Sequence, residues 1–321
     1  MWAAKQALRA ARRFAARRVQ WGQPVGRHEA IAAKLARMAA DIFALAGAVR
    51  YPCMLVDRGA EEIRLEAAIA KMFGSEAAWR IIDDAIQICG GRGYETQASL
   101  RARGEEPWAL ERALRDCRVN LIFEGSSEIM RLFIAREAMD PHMKLGLPLL
   151  HPRSTLGQRA AAAARMALFY ARWYPARWFR ADALARHRSF GPLGGHMRFV
   201  ERAAHRLGRT VFHAMLRHRL ALEKRQMLLG RLVEIGADLY CMSLACAYAR
   251  ALLARTPSDS GPRDLADLFC RHARVRVAAL FRHLHAAPDR AARRLARNLL
   301  EGAYPLLEEG ILIPADATES P

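Results

Sequence analysis

The chain has 321 residues, 52% of them hydrophobic, enough to bury one large core or two ordinary ones and too apolar for a disordered segment. Lys and Arg number 51 against 32 Asp and Glu, a net charge of +19 that is almost all arginine. That excess leaves nucleic acid, an anionic membrane surface and acidic cofactors open as partners, while solvated helix faces of mixed Arg and Glu account for it equally well. Ala, Leu and Arg dominate, Val, Ile and Thr are sparse and no alternating strand pattern persists, so the expected class is all-α.

The first expected helix covers 2–20, with Trp2, Leu8, Phe14 and Val19 at roughly helical spacing. Its Arg-rich, acid-free character also fits a mitochondrial transit peptide. However, it lacks serine and runs directly into a turn at Gln20-Trp21-Gly22-Gln23-Pro24, which favours a packed helix. Helices follow at about 27–57, across Pro52, and at about 60–89, before the glycine cluster Gly90-Gly91-Arg92-Gly93. Further helical stretches are expected around 107–115 and 125–138. Met139-Asp140-Pro141, Gly146-Leu147-Pro148 and His151-Pro152 then read as a linker over 141–154. Beyond it, helices are expected near 155–173, 196–229, 230–255, 263–286 and 289–302, with a loop over 256–262 and a disordered tail over 314–321. Long helices with short loops imply a helical bundle over 1–140 and a second over 155–313, packed side by side.

The six cysteines (Cys53, Cys89, Cys117, Cys241, Cys246 and Cys270) show no CxxC spacing. Neither His283 with His285 nor His213 with His218 is spaced to chelate from one helix face, so no metal site is expected. The thiols read as small apolar residues in a reducing, intracellular setting. No apolar run long enough to span a bilayer is evident.

The chemistry concentrates between Asp83 and Arg136. Glu124 lies between the apolar Leu121-Ile122-Phe123 and the small Gly125-Ser126-Ser127. A carboxylate so flanked is expected to be partly desolvated, which raises its pKa and makes it a stronger base. The plainer reading is an N-cap or first-turn carboxylate, favoured by the dipole of the helix that follows; both can hold. The glycines alone read as an inter-helix turn.

Three separated motifs carry a resemblance. Arg18-Val19-Gln20-Trp21-Gly22 is similar to the Arg-x-(Gln/Thr)-Phe-Gly of the acyl-CoA dehydrogenases. Gln87-Ile88-Cys89-Gly90-Gly91-Arg92-Gly93-Tyr94 resembles that family's Gln-x-x-Gly-Gly-x-Gly-(Tyr/Phe). Arg115-Asp116 followed by Ile122-Phe123-Glu124-Gly125-Ser126-Ser127-Glu128-Ile129 resembles its Arg-Asp and Ile-(Tyr/Phe)-Glu-Gly-Thr-x-(Glu/Gln)-Ile. All three occur in the family's order over residues 1–140, which resemble its C-terminal, four-helix-bundle domain.

The resemblance implies α,β-dehydrogenation of a fatty acyl-CoA, with FAD as cofactor and Glu124 as the base that removes the α-proton. It implies that Arg18 reaches the FAD pyrophosphate of a neighbouring subunit, a task suited to a forked guanidinium. Gln20 and Trp21 accompany Arg18 in that motif, Trp21 standing where phenylalanine is usual. Gln87, Gly90 and Gly91 would hold the adenosine end, and Ser126 and Glu128 match further FAD-contacting positions. The helical extension after residue 150 resembles the very-long-chain branch, which implies a homodimer or partner subunit and membrane contact. The aromatic and basic run over 170–180 suits such a contact, or a helix end packed on the first bundle. No counterpart of the family's upstream helical domain and β-domain is present, so the expectation is a chain inactive by itself. The alternative reading is a non-catalytic helical module that binds a partner subunit or an anionic membrane. Nucleic acid is not expected, since the arginines lack a recognised framework. The expected location is cytoplasmic, peripheral to the inner membrane, or mitochondrial in a eukaryote.

Overall fold

A computed structural model describes residues 1–150, 153–178, 187–285 and 288–311. The helices are α1 (Trp2–Arg17), α2 (Glu29–Asp57), α3 (Arg64–Cys89), α4 (Gly91–Tyr94), α5 (Gln97–Ala102), α6 (Leu110–Arg118), α7 (Ser127–Leu150), α8 (Leu156–Ala176), α9 (Gly194–His218), α10 (Gln226–Arg255), α11 (Gly261–Arg282) and α12 (Pro288–Leu300). Among the described residues the only strands are β1 (Val19–Gln20) and β2 (Gln23–Pro24), an antiparallel pair in which Gln20 faces Gln23. The all-α expectation holds.

Helix α1 packs on α3 with Leu8 and Phe14 only half-buried, so that its fully buried face is made by other residues. Trp2 and Val19 are exposed, and the contact face is Ala4, Ala7, Ala10, Ala11 and Ala15. Small side chains bring the two backbones close together. Helices α2, α3, α10 and α11 form the central core. Phe43 packs on Tyr248 with centroids 5.1 Å apart, and Phe73 meets Phe269 edge-on at 6.0 Å. Gly47 lets α2 approach α10 so closely that an added Cβ would stand 3.0 Å from the Leu244 carbonyl oxygen. Residues 1–282 therefore form one compact unit, and 283–311 are described apart from it.

Two helices, α2 and α10, are long and apolar enough to cross a membrane by length and composition, contrary to the sequence expectation. More than half of each apolar window is buried against other helices, as in the core helices of a globular fold. Leu228, Val233, Ile235, Leu239 and Met242 of α10 are buried, whereas Met227 is exposed.

The linker expected over 141–154 is helical as far as residue 150, because α7 continues through Pro141 and Pro148. A proline withdraws one backbone donor per site. Packing on α3, α8 and α10 holds the helix regardless. His142 supplies part of that packing, stacking on Tyr170 and accepting or donating a 2.9 Å hydrogen bond to its hydroxyl. His151 and Pro152, the last part of that linker, lie outside the described residues, as does the tail over 314–321. The break expected near 229 instead falls at 219–225, where Arg219 takes φ +48°.

The first aromatic residues of the run beginning at Tyr170 pack on α9, whereas Trp178 is 57% exposed. Tyr170, Trp173 and Tyr174 surround Phe212 of α9 at 4.8, 5.9 and 5.4 Å, and the Arg209 guanidinium lies 3.9 Å from the Trp178 ring. Phe179 and Arg180 lie outside the described residues.

Candidate functional site

The first motif sits on a two-residue hairpin. Trp21 and Gly22 take φ +51° and +77°, so both central residues are left-handed, which matches the twist of the flanking strands. Glycine adopts this freely, whereas tryptophan is strained there. The indole projects from the tip, 87% exposed. His28 holds the hairpin from behind: its Nδ1 accepts from the Gln23 amide at 3.0 Å and its Nε2 donates to the Gln20 carbonyl at 3.1 Å. Residue spacing carries no sign of this clamp.

The hairpin and the glycine cluster converge. Arg18, Gln20, Gly90 and Gly91 line one groove of about 710 Å³ with Arg13, Arg17 and Arg92. Gly90 takes φ +58° and ψ −139°, a conformation that ends α3 and that glycine adopts without the strain a side chain would bring. A Cβ on Gly90 or Gly91 would meet nothing within 4 Å, so their bare backbone faces open space. Gly93, by contrast, is a packing glycine set against Ile86.

Most cations of the groove are already committed. Arg13 and Arg17 pair with Glu106 at 3.1 and 3.7 Å, and Arg92 pairs with Glu105 at 2.7 Å and Glu95 at 3.5 Å. Arg18 is exposed and makes no ion pair among the described residues. Gln87 is exposed on the last turn of α3 and does not line the groove.

The third motif forms a separate centre. Glu124 takes φ +51° and Gly125 +93°, repeating the left-handed doublet of Trp21 and Gly22. The Gly125 carbonyl accepts from the Lys71 ammonium on α3, another contact not anticipated from the sequence. Ser126 precedes α7 and accepts from the Ile129 amide at 3.4 Å, so it caps the helix rather than Glu124. The Glu128 carboxylate is held below the usual range, chiefly by its own backbone amide and then by the Ser126 hydroxyl. With Ser127 it borders a hollow of about 660 Å³ that also includes Trp79, Arg80 and Arg131.

The desolvation expected for Glu124 is not found. Glu124 is exposed, and the flanking Ile122 and Phe123 are 57% and 45% exposed. The apolar run turns outward instead of closing over the carboxylate. The two centres are also well apart: Lys71 and Cys89 mark them on α3, and 18 residues of helix rise span about 27 Å.

Comparisons with known proteins bear on both halves of the chain. Residues 1–139 match the family described as acyl-CoA dehydrogenase, C-terminal domain, and residues 192–302 match ACAD9/ACADV, C-terminal domain. The probable acyl-CoA dehydrogenase FadE10 of Mycobacterium tuberculosis is 47% identical over 317 residues, which is 98% of this chain and 49% of that protein. The mitochondrial very long-chain specific acyl-CoA dehydrogenase of Homo sapiens is 30% identical over 308 residues, 94% of this chain and 44% of that one. The chain thus spans about half the length of these relatives. Among solved structures, an acyl-CoA dehydrogenase complexed with FAD from Bacillus anthracis superposes with a TM-score of 0.63 at 24% identity, covering 88% of this chain and 46% of its own. ACDH-11 of Caenorhabditis elegans, in complex with C11-CoA, gives 0.52 at 16% identity over 84% of this chain and 40% of its own. On this evidence the chain belongs to the acyl-CoA dehydrogenase family, as a C-terminal helical domain joined to the C-terminal domain of the ACAD9/ACADV branch.

Proposed function

We propose that this chain supplies the base and part of the cofactor seat of a FAD-dependent long-chain fatty acyl-CoA dehydrogenase. The observation that carries the reading is the convergence of Arg18, Gln20, Gly90 and Gly91 on one groove. There an uncommitted guanidinium stands beside bare glycine backbone, a combination that suits a diphosphate joined to an adenosine. Gln20 lines that end of the groove, and Ser126 and Glu128 serve at the start of α7. When bound, FAD supplies the acceptor for the β-hydrogen, which leaves as hydride. Glu124 takes the α-proton on its carboxylate. Its left-handed backbone holds the side chain out from the loop, where an acyl-CoA thioester can reach it.

Two observations support a second subunit in the assembly. The centres lie far apart along α3, in keeping with an Arg18 groove that holds the cofactor of a neighbouring subunit. In addition, Trp21 and Tyr94, close in sequence to the groove-lining Gln20 and Arg92, are 87% and 81% exposed, large apolar surface of the kind a partner covers. The open setting of Glu124 supports the reading that these 321 residues alone do not turn over substrate.

The test has two arms. FAD is titrated into the purified chain by fluorescence quenching, and Arg18→Ala is expected to weaken binding about tenfold, the worth of a charge-assisted pair. In the assembled, flavin-loaded enzyme, Glu124→Gln is expected to slow acyl-CoA-dependent bleaching by about 10²–10⁴-fold. Turnover retained by Glu124→Gln would remove the base assignment, and acyl-CoA-dependent bleaching by the chain alone would remove the requirement for a partner.

A further inference from the structure

The turn that carries Glu124 is strained, and little apolar burial anchors it. Glu124 takes φ +51°, a left-handed conformation that a side chain disfavours, and Gly125 follows at +93°. Ile122 and Phe123 leading into it are exposed. Hydrogen bonds fix its two flanks. Upstream, the Ile122 and Phe123 amides both donate to the Val119 carbonyl at 3.0 Å. Downstream, the Met130 amide donates to the Ser126 carbonyl at 2.8 Å. Arg131, paired with Glu76 at 2.8 Å and Glu234 at 3.1 Å, also donates to the Ser127 carbonyl at 3.0 Å. Between these flanks the backbone of Glu124 and Gly125 receives one hydrogen bond among the described residues, from the Lys71 ammonium to the Gly125 carbonyl.

Lys71 is suited to that contact. It is half-buried on α3, between the core residues Ala68, Ile69, Met72 and Phe73, so its backbone belongs to a packed helix. Among the described residues the lysine ion pairs are those of Lys34 and Lys144, and the Lys71 ammonium has no carboxylate partner. A lysine on a solvated face points at water or at a carboxylate, whereas this one is directed at a backbone carbonyl in the turn of the base. Hydrogen bonds from a charged donor are among the stronger ones, and this one ties a strained turn to the core. A catalytic group misplaced by about 1 Å can lose 10²-fold in rate, so such a tie bears on the chemistry.

We propose that Lys71 is a positioning residue for the base: by holding the Gly125 carbonyl it fixes the left-handed turn, and with it the direction in which the Glu124 carboxylate leaves the loop. The inference deepens the assignment of Glu124 as acceptor of the α-proton and rests on that reading.

The experiment has two arms. The first uses the purified chain and the glutamate-specific V8 protease. Lys71→Met keeps the length of the side chain but loses its donors, and is expected to speed cleavage after Glu124 about tenfold or more, with cleavage at other glutamates and the melting temperature unchanged. Lys71→Arg restores a donor and is expected to return that rate to within about threefold of the parent. The second arm uses the assembled, flavin-loaded enzyme. There Lys71→Met is expected to slow flavin bleaching at saturating acyl-CoA by about 10–10²-fold, with FAD content and the half-saturating acyl-CoA concentration unchanged, and Lys71→Arg to recover most of the rate. If Lys71→Met does not fold, Lys71→Ala replaces it with the same expectations. The proposal is overturned by unchanged cleavage after Glu124, by cleavage raised equally at every glutamate, or by a loss of rate that weaker acyl-CoA or FAD binding accounts for. It is equally overturned if Lys71→Arg is no better than Lys71→Met in both arms. Glu124→Gln, assayed alongside, separates the two levels. Bleaching retained by Glu124→Gln removes the base assignment and the positioning role with it, whereas bleaching retained by Lys71→Met alone removes only the positioning role.

Discussion

A Cβ added at Gly93 would lie 2.7 Å from the Ile86 Cα and 2.8 Å from its carbonyl oxygen, while one at Gly91 meets nothing within 4 Å. Gly93→Ala is therefore expected to cost about 1–3 kcal/mol in urea denaturation, as overpacking does. Gly91→Ala should stay within about 0.5 kcal/mol of the parent in the same assay, and its effect should appear in FAD affinity instead. Charge offers a second contrast. Burial pushes the Asp41 carboxyl above its ordinary 3.8, outweighing the opposing pull of Arg80, Arg276, Arg37 and His272. A carboxyl raised in the folded state favours folding most below pH 3.8, and that contribution is lost as pH rises through the raised value. Asp41→Asn should then melt higher than the parent at pH 7 and show a shallower decline above pH 3.8, and a lower melting temperature at pH 7 would contradict the account. Residues such as Arg18 and Gly90 were legible in the sequence because their motifs are contiguous. Lys71 and His28 were not, because each acts on a loop through a hydrogen bond that spacing does not encode. The exposure of Glu124 was misread for a related reason: apolar neighbours in sequence do not fix which way a loop turns.

Helix α1 shows how an element can be correctly placed and yet wrongly oriented. Its start was legible from the helical spacing of its apolar residues, but it ends at Arg17 rather than 20, with Val19 and Gln20 in a strand, and its buried face is the alanine stripe, since close approach to α3 needs small residues more than large ones. Ala10→Leu on that stripe is expected to destabilise the chain by about 1–3 kcal/mol, read as a lower urea midpoint at unchanged slope. Had Trp2 and Leu8 carried the contact, the substitution would be nearly silent. Helices α7 and α10 show that tertiary packing overrides local punctuation. Pro141, Pro148 and Gly230 all lie inside helices, and the break at 219–225 contains neither glycine nor proline. Boundaries set by neighbouring helices leave no mark at the residues concerned.

At the scale of the molecule, the two family domains share one core, with Phe43 against Tyr248 and Phe73 against Phe269 across the divide. Residues 1–282 should accordingly unfold in a single transition, with far-UV and near-UV circular dichroism giving the same midpoint; separated midpoints would show two independent cores. Sequence patterning located two helical regions but not their merger, because the contacts that join α2 to α10 are about 200 residues apart and lie on faces that look equally apolar on every side.

The contact of Gly47 with the Leu244 backbone has a consequence for recombination. A chimera that took residues 1–139 from this chain and its extension from a relative would bring together two helix surfaces never selected against each other, at a point where the backbones nearly touch. The unit that can be transplanted is the pair α2 and α10 with whatever each supports, and crossover points belong outside the span that links them.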